Sequence, residues 1–167
     1  FAPQAQLIQD QIDAAVRQGA KVLRGGKIME CGGIWYPATV LVDVSHAMNL
    51  MQEETFGPII PIMQYATTEE ALSLANDSSF GLSGAVFSQD REAAIAVASR
   101  LNVGAVSIND ASLTGIVNDV EKNSFGLSGM GGSRMGPAGL TRFLRKRALL
   151  FQEAEPAPVT LFADKPD

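Results

Sequence analysis

Two adjacent carboxylates, Glu53 and Glu54, stand just before Phe56-Gly57-Pro58 in the stretch 52–61. A carboxylate is a strong hydrogen-bond acceptor, for sugar hydroxyls among other donors. A phenyl ring offers a flat apolar face on which a heterocycle packs. On one stiff loop, the two would suit a ligand that carries a sugar and a flat ring. The plain alternative is a solvated acidic turn with Phe56 plugging the core, since exposed acids are the rule. Other reactive residue types are sparse. Cys31 lies in Glu30-Cys31-Gly32-Gly33, without a basic neighbour in sequence, and an adjacent acid does not favour a thiolate. Asp43, Ser45 and His46 are close in sequence, but triad partners are brought together by fold geometry and not by adjacency. One histidine and one cysteine also give no support to a zinc site. Cys31 and His46 are therefore read as structural or inert.

The elements that must position the acidic loop follow from pattern. Gly57-Pro58 is a strong break. Pro58 lacks an N–H and has a fixed φ, so it suits the first residue of a strand. The apolar run Ile59 to Tyr65 is the strand expected after it. Upstream, Leu7, Ile8, Ile12, Ala15 and Val16 recur at helical spacing between Pro3 and Gln18, with Gly19 as the stop. Lys21 to Arg24 reads as a short strand. Ile34 to Val42 reads as a second one, interrupted by Pro37 at a sheet edge or bulge.

Downstream, Thr67 and Glu70 have the spacing of a capping box, opening a helix to about Asn76. Phe80 to Gly84 reads as a turn and Ala85 to Ser88 as a strand. A helix capped by Ser88 or Asp90 is expected through Leu101, burying Ala94, Ile95, Val97, Ala98 and Leu101. Ala105 to Asn109 follows as a strand. Strand, helix, strand, helix, strand at this spacing argues for a mostly parallel α/β sheet with flanking helices. Asp110 to Lys122 reads as a long loop at the carboxyl end of a strand, where α/β proteins place ligand sites. Gly126 to Gly136 is glycine-dense but fails the dinucleotide fingerprint, because Arg134 stands where its last glycine would be. It reads as a mobile or tightly turning loop. Pro137 opens a short helix to about Leu144, Arg142 to Arg147 form a basic cluster that suits a helix C-terminus, and Ala148 to Phe151 reads as an apolar strand.

Glu53-Glu54-Thr55-Phe56-Gly57-Pro58 resembles the E-E-x-F-G-P signature of the NAD(P)-dependent aldehyde dehydrogenase superfamily. Further segments resemble landmarks of that family in the same order. They include Gly19-Ala20-Lys21-Val22, Gly25-Gly26, Pro37 to Leu41, Ala75-Asn76-Asp77, Phe80 to Ser83, Val86-Phe87 and Asn123 to Gly126. The resemblance runs over roughly residues 5–152. It implies a partial catalytic domain over 1–145, an oligomerisation strand over 146–152 and a tail over 153–167. It also implies that Glu54 binds the nicotinamide ribose of NAD or NADP and that Phe56 lies against the nicotinamide. Phe125 matches the phenylalanine of the family's P-F-G-G stretch, which lines the aldehyde channel. Ser124 and Leu127 depart from that stretch. In the family the catalytic cysteine and the general base lie upstream of the matched part. The resemblance thus implies the C-terminal part of an aldehyde dehydrogenase, inactive alone. A non-catalytic interaction or assembly module is the alternative.

Composition bounds the rest. The chain has 167 residues, 46% apolar and 19% charged, an ordinary soluble balance and one domain's worth. Its net charge of −5 argues against general binding to nucleic acid or anionic membranes. With one cysteine there is no internal disulfide, so a reducing, cytoplasmic setting is the simpler expectation. The start at Phe1, without methionine, reads as a cut from something longer. An apolar strand near the end would be an exposed edge unless a second copy covered it, so a homo-oligomer is expected.

Overall fold

The computed structural model describes residues 2–151, apart from Gly131 and Arg134. Helix α1 spans Ala2–Arg17, and its buried residues Ala5, Ile8, Gln11, Ile12 and Ala15 form one stripe. Leu7 and Val16, expected on that stripe, lie outside it and are nearly half exposed. Gly19 ends the helix at φ +108°, a left-handed conformation that a Cβ would disfavour.

Strand β1 (Lys21–Arg24) pairs antiparallel with β4 (Thr39–Val42), with an irregularity between Val22 and Arg24. The strand expected over 34–42 is two pieces. Ile34–Trp35 (β3) pairs with Met29–Glu30 (β2) in a small hairpin, and Pro37 separates β3 from β4. A short helix α2 (Asn49–Gln52) then leads to β5 (Ile59–Pro61), which runs parallel to β4. The strand expected to reach Tyr65 stops early, although Ile62 still donates to the Leu41 carbonyl at 2.8 Å. Between α1 and this sheet lies the core: Ile8, Ile12, Ala15, Ala20, Leu41, Val44, Met48 and Leu50. Burying one large aliphatic side chain of this kind stabilises by roughly 1.5–3 kcal/mol.

The second half is more open. Helix α3 (Thr68–Asn76) starts where expected, with the Thr67 hydroxyl accepting from the Glu70 N–H at 3.2 Å. Glu70 reaches back to the Ala66 N–H, one residue before the cap, at 2.7 Å. Phe80–Gly81, expected as a turn, is a two-residue strand, β6. Strand β7 (Ser83–Val86) begins two residues before the expected one. Asp90 caps α4 (Arg91–Ala98) through the N–H groups of Glu92 and Ala93, and the helix ends short of Leu101. Ile95, expected inside, is 48% exposed, so only Ala94 is fully covered on that face.

Strand β8 (Ala105–Ile108) runs parallel to β7. Helix α5 (Leu113–Ile116) punctuates the expected loop, β9 (Phe125–Gly126) pairs antiparallel with β6, and α6 (Ala138–Thr141) is shorter than expected. Residues 148–151, expected as a strand, take none within this chain, and Leu149, Leu150 and Phe151 are exposed. Residues 152–167 and the Arg134 position of the glycine-dense loop lie outside the described residues.

The sheet arrangement corrects the expectation of one mostly parallel sheet. The strands form a mixed three-stranded sheet, β1-β4-β5, and three separate pairs, of which only β7-β8 is parallel. The α/β class holds. The continuous sheet does not, because β5 and β7 are not hydrogen-bonded to each other. No described helix is long and apolar enough to cross a membrane.

Candidate functional site

The acidic loop is fixed from both ends. At its start the Glu53 N–H donates to the Asn49 carbonyl at 2.8 Å, which closes α2. At its end the Pro58 carbonyl accepts from the Thr39 N–H at 2.8 Å, which docks the loop into the first residue of β4. The middle is pinned to α1. Thr55 donates its hydroxyl to Gln11 Oε1 at 2.9 Å, and Gln4 Nε2 donates to the Phe56 carbonyl at 3.1 Å. A Cβ on Gly57 would stand 2.4 Å from Ile8 Cδ1, so glycine is what allows the loop to lie this close to the helix.

This anchoring holds the backbone and leaves two side chains outside. Glu54 is exposed, and Phe56 is 76% exposed. Exposing a large aromatic on a restrained loop is unfavourable for folding alone, and such rigid, exposed groups suit recognition. The plug reading of Phe56 is therefore corrected: its ring is not in the core. The pair would suit the nicotinamide riboside half of a dinucleotide, the carboxylate accepting from ribose hydroxyls and the aromatic face receiving a flat ring.

Phe125 sits elsewhere, in β9. It pairs with Gly81, whose lack of a Cβ leaves room for the Phe125 side chain. Its exposure is 39%, so it is neither a closed core aromatic nor a free one. Gly104 makes a similar close approach: a Cβ there would be 1.8 Å from the Asn123 carbonyl oxygen. Gly81 of β6 thus abuts Phe125 directly, and Gly104 abuts the Asn123–Ser124 backbone just before it.

Ser124 borders a cavity of about 250 Å³ with Leu82, Ser83, Ala105, Thr114 and Lys122. Glu53 borders a different one, with Gln6, Asp10 and Asn49. Lys122 donates its ammonium to the Thr114 carbonyl at 2.6 Å and to that of Val117, satisfying the C-terminal carbonyls of α5. At the other end of that loop, the Ser112 hydroxyl and N–H hold the Asp110 carboxyl below its usual 3.8.

The remaining candidates are structural. Cys31 is exposed on the β2–β3 hairpin, where its carbonyl accepts from Trp35 Nε1 at 3.1 Å. His46 Nε2 lies 2.9 Å from Asp77 Oδ2, and Gln52 Nε2 donates to the His46 carbonyl at 2.9 Å. That histidine ties the β4–α2 connection to the end of α3, and neither Asp43 nor Ser45 is its partner. Among the described residues, no group of three or more His, Cys, Asp or Glu side chains gathers to hold a metal. The residues that sequence reasoning missed are Gln4, Ile8 and Gln11. Their role depends on contacts some fifty positions apart, and helical spacing marks Ile8 only as core.

A model of the aldehyde dehydrogenase family matches residues 2–149. This chain belongs to that family. Among curated relatives it is 34% identical to lactaldehyde dehydrogenase of Escherichia coli K12, over 87% of this chain and 30% of that protein. It is 38% identical to the mitochondrial succinate-semialdehyde dehydrogenase of Mus musculus, over 77% of this chain and 25% of that protein. The solved PutA protein of Anabaena variabilis superposes with a TM-score of 0.88 and 49% identity, over 95% of this chain and 34% of that one. Betaine aldehyde dehydrogenase of Staphylococcus aureus, solved in complex with NAD+, superposes with a TM-score of 0.84 and 32% identity, over 98% and 33%. The chain therefore spans about a third or less of the proteins it matches.

Proposed function

We propose that this chain forms the C-terminal part of an NAD(P)-dependent aldehyde dehydrogenase subunit, which oxidises an aldehyde to a carboxylic acid. The observation that carries the reading is the acidic loop: family membership gives the class, and the pinned loop with Glu54 and Phe56 outside supports the part proposed for this chain. In this reading Glu54 accepts hydrogen bonds from the nicotinamide ribose. Phe56 packs on the nicotinamide ring and restricts its position. The bound NAD(P) supplies the hydride acceptor. Phe125 lines the path of the aldehyde, with Ser124 in place of a proline beside it.

Positioning of this kind matters, since a displacement near 1 Å can cost about 100-fold in rate. The nucleophile and the general base are assigned to other parts of the subunit. Cys31 is the sequence's one cysteine, and its hairpin offers it Trp35 and not a base. Covalent attack on a carbonyl needs an activated thiolate.

The chain alone should therefore bind cofactor weakly and turn nothing over. The test incubates the purified chain with succinate semialdehyde or lactaldehyde and either NAD+ or NADP+, following absorbance of the reduced nicotinamide. No reduction is expected. Turnover by these 167 residues would overturn the assignment of the nucleophile to another part of the protein.

A second reading, an assembly module of the same family, is favoured by one observation. Leu149, Leu150 and Phe151 are exposed at 73%, 93% and 84%. An apolar segment of that kind suits cover by a second copy. The two readings are compatible if residues 146–152 pair across a homo-oligomer.

A further inference from the structure

We propose that His46 is a positioning residue. Its imidazole ties the base of the acidic loop to the end of α3, and so sets the cofactor side of the molecule against the side that lines the aldehyde's path. The inference rests on the reading of Glu54 and Phe56 as cofactor groups and of Phe125 as part of that path. It adds what holds the two in register.

The polar contacts of the chain divide near residue 66. Every strand pair lies within residues 2–65 or within 66–151. Among the described residues the same holds for the backbone hydrogen bonds of turns and loops, and for the Lys21–Asp43 and Arg100–Glu69 ion pairs. His46 is the exception. Its Nε2 lies 2.9 Å from Asp77 Oδ2 and 3.1 Å from the Asp77 carbonyl oxygen. Elsewhere the two sides face each other across a cavity of about 660 Å³, with Met51 and Met63 on one side and Leu74 and Ala85 on the other.

The chemistry of the tie turns on one ring nitrogen. Gln52 Nε2 stands 2.8 Å from His46 Nε2 and also donates to the His46 carbonyl at 2.9 Å. A ring nitrogen either carries a proton or offers a lone pair. Without the proton, Nε2 would accept from Gln52 and turn its lone pair toward the Asp77 carboxylate. With it, Nε2 donates to Asp77, and Gln52 keeps its bond to the carbonyl. A hydrogen bond to an ionised acceptor is the stronger kind, so the second arrangement is favoured. The His46 side chain is 21% exposed against 76% for Asp77, which makes the imidazole the fixed end.

Each end of the tie leads to a group of the proposed site. Gln52 closes α2 and is followed directly by Glu53 and Glu54. Asp77 caps the end of α3, where its N–H donates to the Ser73 and Leu74 carbonyls. Just beyond it, Phe80–Gly81 pairs with Phe125–Gly126. The route from Glu54 to Phe125 thus runs through Gln52, His46, Asp77 and β6. Hydride transfer needs the reacting atoms about 3–3.5 Å apart, so drift between the two sides acts on the rate even where each side still binds its own ligand.

The test uses the isotope-labelled chain with His46→Leu, Asp77→Ala and His46→Gln, the last because a glutamine amide Nε2 can replace the ring N–H. His46 is the sequence's one histidine, so its ring nitrogens give a single set of NMR signals, and Nε2 should carry the proton. Residual dipolar couplings from α1 and α4 should fit one alignment tensor in the unaltered chain and in His46→Gln. They should need two in His46→Leu. On addition of NAD+, shifts should spread from Glu54 and Phe56 to Asp77 and Phe80. In His46→Leu those distant shifts should fall at least about 5-fold while the loop's own response stays. Asp77→Ala keeps the carbonyl acceptor and should reduce them less, and His46→Gln should restore them. A contact that merely stabilised the fold would lower the thermal midpoint without separating the response at the loop from that at Phe80.

A ring with Nε2 unprotonated would overturn the tie. So would a single tensor for both sides in His46→Leu, or distant shifts undiminished in that variant. Should His46→Leu not fold, Asp77→Ala decides at a mostly exposed position, and distant shifts equal to those of the unaltered chain would overturn the tie. Absence of any response at Glu54 and Phe56 would count against the cofactor reading instead. The ring signals and the dipolar couplings need no bound cofactor, so they would still decide the tie.

Discussion

The two halves of this molecule are finished to different degrees. From α1 to β5, one helix closes over a three-stranded sheet, and eight apolar side chains form a continuous buried cluster. From α3 onward the two longer helices, α3 and α4, are well started, with a threonine cap on one and an aspartate cap on the other, but Leu72 and Ala94 are the only buried apolar residues described there. Local signals are as clear in the second half as in the first. What differs is the partner surface. A helix or strand edge that has nothing to pack on stays open however well its ends are capped, because most stability comes from tertiary burial and not from propensity.

The largest expected effect breaks the closed half. Leu41 is fully buried, so Leu41→Ala should cost about 3–4 kcal/mol in a denaturant titration. Leu82, 58% exposed in the open half, should cost less than about 1 kcal/mol when truncated in the same way. Equal losses at the two sites would erase the contrast.

Next in size is Gly104→Ala. Its Cβ would meet the Asn123 carbonyl oxygen at 1.8 Å, a backbone contact that must move. A loss of roughly 1–3 kcal/mol is expected, as in overpacking, with shift changes at Phe125 by NMR that Leu41→Ala does not produce.

A smaller effect tests the caps. Asp90→Ala removes the acceptor of two N–H groups of α4 and should cost about 1 kcal/mol.

The smallest is a pH effect. The Arg100 guanidinium, bonded to Glu69 across α3 and α4, holds that carboxyl below its usual 4.5. A depressed carboxylate pKa stabilises the fold above the unfolded-state value, and the benefit is lost as pH falls through the native one. The pair is solvent-exposed, so Glu69→Gln should lower stability only slightly at neutral pH, and its difference from the unaltered chain should vanish as pH falls below 4.5 and through the native value.

The same contrast explains what the sequence disclosed. The extent of α1, the strand Lys21–Arg24, the cap at Thr67 and the break at Pro37 are local matters, and each is where residue type and spacing put it. The outward faces of Leu7, Val16 and Ile95 were not legible, because periodicity does not reveal how wide the buried stripe is. The pairing of Phe80–Gly81 with Phe125–Gly126 joins residues far apart in sequence, and a two-residue strand has no pattern of its own. The family was legible from ordered motifs. That the loop is pinned by Gln4 and Gln11 was not, since amides on a helix face look like ordinary solvated residues.

The most direct measurement is a titration of the isotope-labelled chain with NAD+, following backbone amide shifts, for the unaltered chain and for Phe56→Ala and Glu54→Gln. Phe56 is exposed, so its truncation should change stability by less than about 0.5 kcal/mol. Any loss of response would then report binding and not folding. The account predicts shifts centred on Glu54, Thr55 and Phe56 that weaken in both variants. Shifts confined to another region, or unchanged in both variants, would contradict the assignment of this loop to the cofactor.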